Sequence, residues 1–272
     1  MTKQTNWRIL ASGASDRALL AVDFGPGRRE AGFAELVANL APDTVVWQPV
    51  FLPQTDDPVN GTDSDTCVRE WLDDLRDAGL DIRGVLGYCA GSTLAVRLAE
   101  LIRESCEREP AVVLLDPSRV DGAVIQEHFV TSAAAYAEVL PPERIQAAVA
   151  DAARVTSTLG TDLAQRSAGS LADAMLDLQR LYDGIVRSVC EAIDAGDEVG
   201  TSFSQRFAAF LSYLVTAGRA GAYPAKCDTT VVVSENHRLH DGFGVAGHRI
   251  PVSRAALLAD PSVARIVAQA VS

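Results

Sequence analysis

The sequence predicts an α/β protein built on a mostly parallel sheet with helices on both faces. Between residues 18 and 116, short apolar runs alternate with segments of helical periodicity. From residue 121 to 221 we find helical periodicity and no convincing strand, and strand character resumes at 229–234. Alternation of this kind buries a parallel sheet between two helical layers. We therefore divide the chain into a core of residues 1–120 and 222–272 and an inserted all-helical lid of residues 121–221.

The individual elements follow from the apolar pattern and its turn residues. The strands are predicted at 18–24, 44–50, 84–86, 111–116, 229–234 and 249–252. The core helices carry their apolar residues on one face, at Phe33, Leu36, Val37 and Leu40, and at Val68, Trp71, Leu72 and Leu75. A third helix covers 93–102, and a terminal helix begins at Pro261, a residue suited to a first helical turn.

Composition excludes several classes of protein. With 272 residues, 48% of them hydrophobic, the chain has ample material for a core, but no apolar run is long enough to span a bilayer. The net charge of −12 argues against nucleic acid and anionic membranes as main partners. Five cysteines without a CxxC pair argue against a disulfide framework or a zinc site. We therefore expect a cytoplasmic protein with no metal and no bound cofactor.

The most informative segment is Gly87-Tyr88-Cys89-Ala90-Gly91. It lies between a predicted strand and a predicted helix, which is the context of a nucleophile elbow. Flanking glycines allow the close backbone contacts of such a turn. Cys89 stands where serine is usual, and its thiolate is the stronger nucleophile and suits exchange with thioesters. The sequence therefore predicts Cys89 as a covalent nucleophile.

A nucleophilic cysteine needs a base and an acid that orients the base. Asp116 is our acid because it ends the next strand, and active groups of open sheets gather at such ends; the alternative is a simple Asp-Pro turn with Pro117. His237, His240 and His248 all satisfy the chain order nucleophile, acid, histidine. We select His248 as the base because it follows a late glycine-rich loop, against the alternative of a surface histidine.

An oxyanion hole needs two backbone N–H donors. Ala90, which follows the nucleophile, is predicted to supply one of them. The turn after the first predicted strand supplies the other, and because Pro26 has no N–H, the donor is Gly27 or Arg28. We select Gly27.

These motifs resemble the thioesterase branch of the α/β-hydrolases, the stand-alone and chain-terminating enzymes of polyketide and nonribosomal peptide assembly lines. The resemblance runs from about residue 18 onward. It rests on Phe24-Gly25-Pro26-Gly27, the elbow, Leu114-Leu115-Asp116 and the segment 257–264. It implies an α/β-hydrolase fold and chemistry on a thioester carried by the phosphopantetheine arm of a peptidyl or acyl carrier protein.

Within this branch, a stand-alone chain with a Cys-Asp-His set looks most like the Dieckmann cyclases that form tetramic acids in antibiotic biosynthesis. The resemblance implies a β-ketoacyl-aminoacyl thioester as substrate. It also implies carbon–carbon bond formation, closure of a pyrrolidine-2,4-dione and chain release without hydrolysis, through an acyl-Cys89 intermediate.

The chain departs from the family at two positions. Cysteine replaces serine at Cys89, and Ser253-Arg254 stand where the family often has its histidine. Two alternatives therefore stay open. One is an editing thioesterase that hydrolyses acyl groups from carrier proteins, which every candidate residue also fits. The other is a non-catalytic or non-covalent member of the fold, for which Arg254 is the best support.

Overall fold

A computed structural model describes residues 6–14, 16–26, 30–51, 63–76, 78–105, 109–221, 229–240, 242–244 and 246–272. The chain forms two compact units. The first, the sheet unit, comprises Met1–Val50, Ser64–Arg119 and Ala222–Ser272. The second, the helical unit, comprises Phe51–Asp63 and Val120–Gly221.

The sheet unit contains a seven-stranded sheet in the order β1-β3-β2-β4-β5-β6-β7. Its strands are β1 (Trp7–Ala11), β2 (Arg17–Val22), β3 (Val45–Pro49), β4 (Asp81–Tyr88), β5 (Ala111–Leu115), β6 (Thr229–Ser234) and β7 (His248–Ile250). Only the β1–β3 pair is antiparallel among these strands. The predicted mostly parallel sheet is thus confirmed, and the carboxyl ends of β4, β5 and β6 lie side by side.

Helices cover both faces of this sheet. They are α1 (Phe33–Val37), α2 (Ser64–Arg76), α3 (Gly91–Ser105) and α8 (Pro261–Ala270), with a 3-10 helix at Arg254–Ala259 before α8. Gly84 and Gly87 on β4 show the two faces, because strand residues three apart point in opposite directions. A Cβ at Gly84 would meet Val271, just after α8, whereas one at Gly87 would meet Ser92 and Ala95 of α3.

The helical unit contains α4 (Gly122–Ala134), α5 (Pro142–Ser157), a 3-10 helix (Leu163–Gln165), α6 (Ala168–Ile193) and α7 (Asp197–Arg219), and no strand among its described residues. Its interior includes a cluster of aromatic side chains. The ring of Tyr182 stacks on that of Phe207 at a centroid distance of 4.0 Å, and its hydroxyl lies 3.0 Å from that of Tyr136. The function of this unit as a lid stays a prediction.

The sequence did not reveal β1, an edge strand that pairs only with β3. Only Trp7 of its five residues is buried, and Arg8 interrupts its apolar residues, so it lacks the longer apolar run that marks the interior strands. Trp7 nevertheless anchors it, because its buried indole donates a hydrogen bond to the carbonyl of Trp71. Across the described part of the chain, no helix combines the length and apolar character needed to cross a membrane.

Candidate active site

Cys89 occupies the sharp turn between β4 and α3. Its φ of 52° is in the left-handed region, which non-glycine residues rarely adopt. The turn is tied to the next strand because Cys89 N–H donates to the carbonyl of Leu115 and Ser118 N–H donates to the carbonyl of Cys89. Gly87 permits the close approach, since a Cβ there would lie 2.6 Å from the Cα of Ser92. These are the features of a nucleophile elbow.

A guanidinium contacts the thiol of Cys89. Arg254, at the start of the 3-10 helix before α8, donates from Nη2 to Cys89 Sγ at 2.8 Å. Burial raises the pKa of the Cys89 thiol, whereas the charge of Arg254 and the backbone N–H of Ala90 act to lower it. Burial has the larger effect, and the pKa stays above its ordinary value. The thiol is therefore mainly protonated at pH 7, with a cation ready to stabilise the thiolate.

Two further residues, Glu30 and Tyr88, contact the guanidinium of Arg254. Its Nε lies 3.6 Å from Glu30 Oε2, and its guanidinium carbon lies 5.8 Å from the centre of the Tyr88 ring. The hydroxyl of Tyr88 in turn donates to Glu30 Oε2 at 3.1 Å. Burial acts to lower the pKa of Arg254, but Cys89, Tyr88 and Glu30 together raise it. The guanidinium therefore stays charged and cannot accept a proton.

Asp116 follows β5 and is fully buried, with a left-handed φ of 42°. Both of its carboxylate oxygens accept from Ser234 at the end of β6, one from the backbone N–H and one from the hydroxyl, each at 2.7 Å. Its Oδ1 also lies 3.7 Å from Nδ1 of His237. Asp116 is thus a fixed carboxylate facing an imidazole.

His237 lies in the turn after β6 and is oriented by two neighbours. Its Nε2 donates to the carbonyl of Pro117 at 3.1 Å, because a carbonyl can only accept, and its Nδ1 faces Asp116. Burial lowers the pKa of His237 more than Asp116 raises it, and Arg254 lowers it further. The imidazole is therefore neutral at pH 7 and able to accept a proton. It makes no hydrogen bond to Cys89 in the described structure.

The structure does not bring His248, our selected base, to this site. His248 is exposed on the edge strand β7, level with Val232 in the middle of β6. His237 follows the carboxyl end of β6, where Asp116 also lies, so the histidine beside the acid is a different one from our selection. Arg249 fixes the turn that carries it, because its Nη1 donates to the carbonyls of Ser234, Glu235 and His237.

The two oxyanion-hole candidates differ in what the structure describes. Ala90 is buried directly after Cys89, and its N–H acts on the thiol. Gly27 lies outside the described residues. Asp23, at the carboxyl end of β2, is buried, and its charge acts to raise the pKa of Cys89. No cluster of three or more acidic, histidine or cysteine side chains suited to a metal ion occurs among the described residues.

Sequence reasoning missed Glu30 and Ser234 and noted Arg254 only as a departure from a family pattern. Ser234 and Asp116 are 118 residues apart, and Cys89 and Arg254 are 165 apart. No local pattern marks contacts of this separation. Only Ser234 carried a usable signal, because it is a polar residue at the end of a parallel strand. Active sites of open α/β sheets lie at the carboxyl ends of such strands.

Comparisons with solved structures identify proteins with a similar fold. No protein-family model and no curated protein matches the chain. Among solved structures it is similar to a four-domain nonribosomal peptide synthetase, holo-AB3403 bound to AMP and glycine, with a TM-score of 0.61 and 13% identity. That match covers 98% of this chain and 20% of the synthetase, so the chain spans about one fifth of the synthetase's length.

Two isolated domains match over nearly their whole length. The Vlm2 thioesterase domain bound with a dodecadepsipeptide gives a TM-score of 0.52 at 15% identity, covering 98% of each chain. The NocB thioesterase domain, in covalent complex with a fluorophosphonate nocardicin G analogue, gives 0.50 at 12% identity, covering 97% of this chain and 98% of that one. Identities this low establish the fold alone. With its mostly parallel sheet and its helices on both faces, this chain has the α/β-hydrolase fold of thioesterase domains.

Proposed function

We propose that this protein is a Dieckmann cyclase that releases a carrier-bound β-ketoacyl-aminoacyl thioester as a tetramic acid, through an acyl-Cys89 intermediate. The observation that carries the proposal is the pairing of Cys89 with Arg254, 2.8 Å from the sulfur, on a left-handed elbow. Arg254 stabilises the Cys89 thiolate once the thiol has lost its proton, and it offers no proton acceptor at the sulfur.

In the first step, the Cys89 thiolate attacks the thioester carbonyl on the carrier protein. A bond forms from Cys89 Sγ to the acyl carbon, the bond to the phosphopantetheine sulfur breaks, and the carrier thiolate takes up the proton that Cys89 has lost. One thioester replaces another, so the step is nearly balanced in energy. The backbone N–H groups of Ala90 and Gly27 are the proposed donors to the oxyanion.

In the second step, a carbon nucleophile within the substrate closes the ring. The carbon between the ketone and the amide carbonyl is acidic, and His237 is the proposed base that takes its proton. Since Nε2 of His237 donates to Pro117 in the resting site, substrate binding must free that nitrogen. Asp116 stabilises the imidazolium that forms. The carbanion attacks the acyl carbon, the bond to Sγ breaks and the Cys89 thiolate is regenerated. The proton held by His237 then passes to this thiolate, which restores the resting thiol and the neutral imidazole.

Cyclisation suits this site better than hydrolysis does. Hydrolysis of an acyl-cysteine requires a base that activates water next to the acyl carbon. The guanidinium next to Cys89 cannot act as this base, so both cyclisation and hydrolysis would depend on His237. The carbon nucleophile is already acidic and needs less activation, and its enolate is an anion that a guanidinium stabilises.

The similar structures support the general class of enzyme in this proposal, one that acts on thioesters. Vlm2 is a thioesterase domain bound with a depsipeptide, and NocB is a thioesterase domain that forms a covalent complex. A fold that supports covalent chemistry on peptide chains suits chain release from a peptidyl or acyl carrier protein. We propose such a carrier as the partner in the cytoplasm.

Mass spectrometry of the product tests this function. The protein is incubated with a carrier-bound β-ketoacyl-aminoacyl thioester, beside a protein-free control. We expect a released product that lacks the elements of water relative to the open-chain acid and absorbs ultraviolet light as a cyclic tricarbonyl. The open-chain acid as the main product would instead identify an editing thioesterase. No release above the control would favour a non-catalytic protein.

A further inference from the structure

We infer that Arg8 and Gln48 are positioning residues that fix the backbone just after β2, where the turn with the second oxyanion donor begins. They act on the backbone of Asp23 and Gly25, and not by contact with the substrate. This inference rests on the proposed function, which it deepens. It concerns only the formation of acyl-Cys89, a step that cyclisation and hydrolysis share.

A continuous set of hydrogen bonds runs from the edge strand β1 to the end of β2. Arg8 on β1 and Gln48 on β3 are directly opposite each other in the antiparallel pair. Nε and Nη2 of Arg8 both donate to Oε1 of Gln48, at 3.1 and 2.6 Å. Nε2 of Gln48 in turn donates to the backbone carbonyl of Asp23 at 3.2 Å. The amide of Gln48 therefore joins a charged side chain to the backbone that follows β2.

Gln48 is a buried polar residue in a largely apolar strand. It is 2% exposed, and Val45 and Val46 of the same strand are buried and apolar. A buried amide destabilises a fold unless its polar atoms are bonded, and here both the oxygen and the nitrogen have partners. The backbone pairing of β2 with β3 ends at Leu20 and Trp47. The side chain of Gln48 thus holds the chain beyond the point where this pairing stops.

Gly25 allows the guanidinium of Arg8 to lie close to the same segment. A Cβ at Gly25 would lie 2.5 Å from Nη2 of Arg8 and 3.8 Å from Nε2 of Gln48. Gly25 does not have a positive φ, so its lack of a side chain matters here for space and not for backbone conformation. The two side chains therefore approach the segment at two points, the carbonyl of Asp23 and the space beside Gly25.

The segment held in this way lies beside the nucleophile. Strands β2 and β4 run parallel and stay paired as far as Val22 and Gly87, so Asp23 and Cys89 follow them at the same edge of the sheet. The buried charge of Asp23 acts on the Cys89 thiol, which agrees with this placement. The second oxyanion donor is predicted in the turn that begins at Asp23. Arg8 thus supports, through Gln48, the point at which that turn leaves the sheet.

Two reactions of the same thiol distinguish a positioned oxyanion donor from other effects. When Cys89 Sγ attacks a thioester, the carbonyl oxygen becomes an oxyanion that needs preorganised donors, and a misplacement of about 1 Å can lower a rate about 10²-fold. Alkylation by iodoacetamide displaces iodide and forms no oxyanion. Both reactions depend in the same way on the fraction of thiolate. Loss of the Arg8–Gln48 support should therefore lower the ratio of acylation to alkylation.

Two substitutions test the inference, each made in the His237→Ala protein so that acyl-Cys89 accumulates. Gln48→Glu keeps an oxygen that accepts from Arg8 and removes the N–H that donates to Asp23. Arg8→Met removes both donors to Gln48 and keeps a long side chain. Thermal unfolding verifies that each variant folds.

The matched controls are Gln269→Glu and Arg265→Met, at exposed positions of α8, because they change the net charge by the same amounts. Two rates are measured for each protein. The first is the rate at which acyl-Cys89 forms from the carrier-bound thioester, followed by intact-protein mass spectrometry over a range of carrier concentrations. The second is the rate of Cys89 alkylation by iodoacetamide at the same pH, followed on the peptide that contains it.

We expect Gln48→Glu and Arg8→Met each to lower the ratio of the maximal acylation rate to the alkylation rate by about tenfold or more. The carrier concentration that gives half the maximal rate should stay unchanged, because neither residue contacts the substrate. Both controls should match the His237→Ala parent in the ratio. An effect on the pKa of the thiol alone would slow both reactions equally and leave the ratio as it is.

The outcomes separate this inference from the proposed function. A parent that forms acyl-Cys89, with an unchanged ratio in either folded variant, overturns the inference and leaves the function standing. A parent that is alkylated but forms no acyl-Cys89 overturns the function, and the positioning role with it. If Gln48→Glu fails to fold, Arg8→Met decides the outcome alone, since Arg8 is an exposed residue of an edge strand.

Discussion

Cys89 and Asp116 share an uncommon backbone conformation. Among the described residues, only these two and Asp194 combine a side chain with a positive φ. Such conformations cost roughly 1–3 kcal/mol each and persist where the surroundings enforce them. Here the surroundings are specific, because Cys89 and Asp116 donate backbone hydrogen bonds to Leu115 and Val232 respectively. Two of these three residues are the ones that we assign as nucleophile and acid.

His237 and His248 can be distinguished by substitution. We expect His237→Ala to lower the rate of cyclised product formation by about 10²–10⁴, the usual contribution of a general base. His248→Ala should stay within about twofold of the wild type, because His248 is exposed on β7. Product formation is followed by mass spectrometry at saturating carrier-bound substrate. A severe loss in His248→Ala, with His237→Ala unaffected, would restore our first selection of the base.

The nucleophile and the acid could be read from the sequence because each is next to a recognisable element. Gly87 to Gly91 mark the elbow, and Asp116 ends a strongly apolar strand. The histidine could not be chosen in this way, because three late histidines satisfy the same chain order. Which of them meets Asp116 depends on where β6 ends and how its turn is held, and Arg249 provides that hold through contacts that span 12 to 15 residues.

The elbow depends on close packing between β4 and α3. A Cβ at Gly87 would lie 2.6 Å from the Cα of Ser92 and 2.8 Å from the Cβ of Ala95. The first of these is backbone and cannot move without shifting the helix that follows Cys89. The geometry of the nucleophile is therefore linked to one glycine.

We expect Gly87→Ala to lower the free energy of unfolding by about 1–3 kcal/mol, the typical cost of overpacking. The matched control is Gly169→Ala on α6, where no atom would lie within 4 Å of the added Cβ. It should be neutral or stabilise by up to roughly 1 kcal/mol, because alanine favours the helix. Urea unfolding measures both variants. Equal effects at the two positions would contradict the packing that we describe.

The interior strands were predictable and the edge was not. β2, β4, β5 and β6 are apolar because both faces are covered, and the predicted runs overlap all four. β1 is antiparallel to β3, only Trp7 of its five residues is buried, and that residue bonds to Trp71 of α2. Its place is decided by pairing with β3, which no local pattern encodes.

The chain contains a sheet unit and a helical unit. Every described member of the site belongs to the sheet unit. The members of the site, namely Glu30, Cys89, Asp116, Ser234, His237 and Arg254, come from segments spread over more than 220 residues. Cys89, Asp116, Ser234 and His237 lie at the carboxyl edge of the sheet. The 3-10 helix before α8 supplies the guanidinium of Arg254. The site residues are brought together by the order of the strands in the sheet. Local patterns could therefore predict the fold but not which residues contact each other within the site.

The covalent intermediate on Cys89 is the central claim of this account, and intact-protein mass spectrometry tests it most directly. The His237→Ala variant is mixed with carrier-bound substrate and quenched in acid at short times. We expect an adduct with the mass of the acyl group, mapped to the peptide that contains Cys89, and no such adduct in the matched His237→Ala, Cys89→Ala protein. Formation of cyclised product by the Cys89→Ala protein, or the absence of any adduct while the carrier is unloaded, would contradict the account.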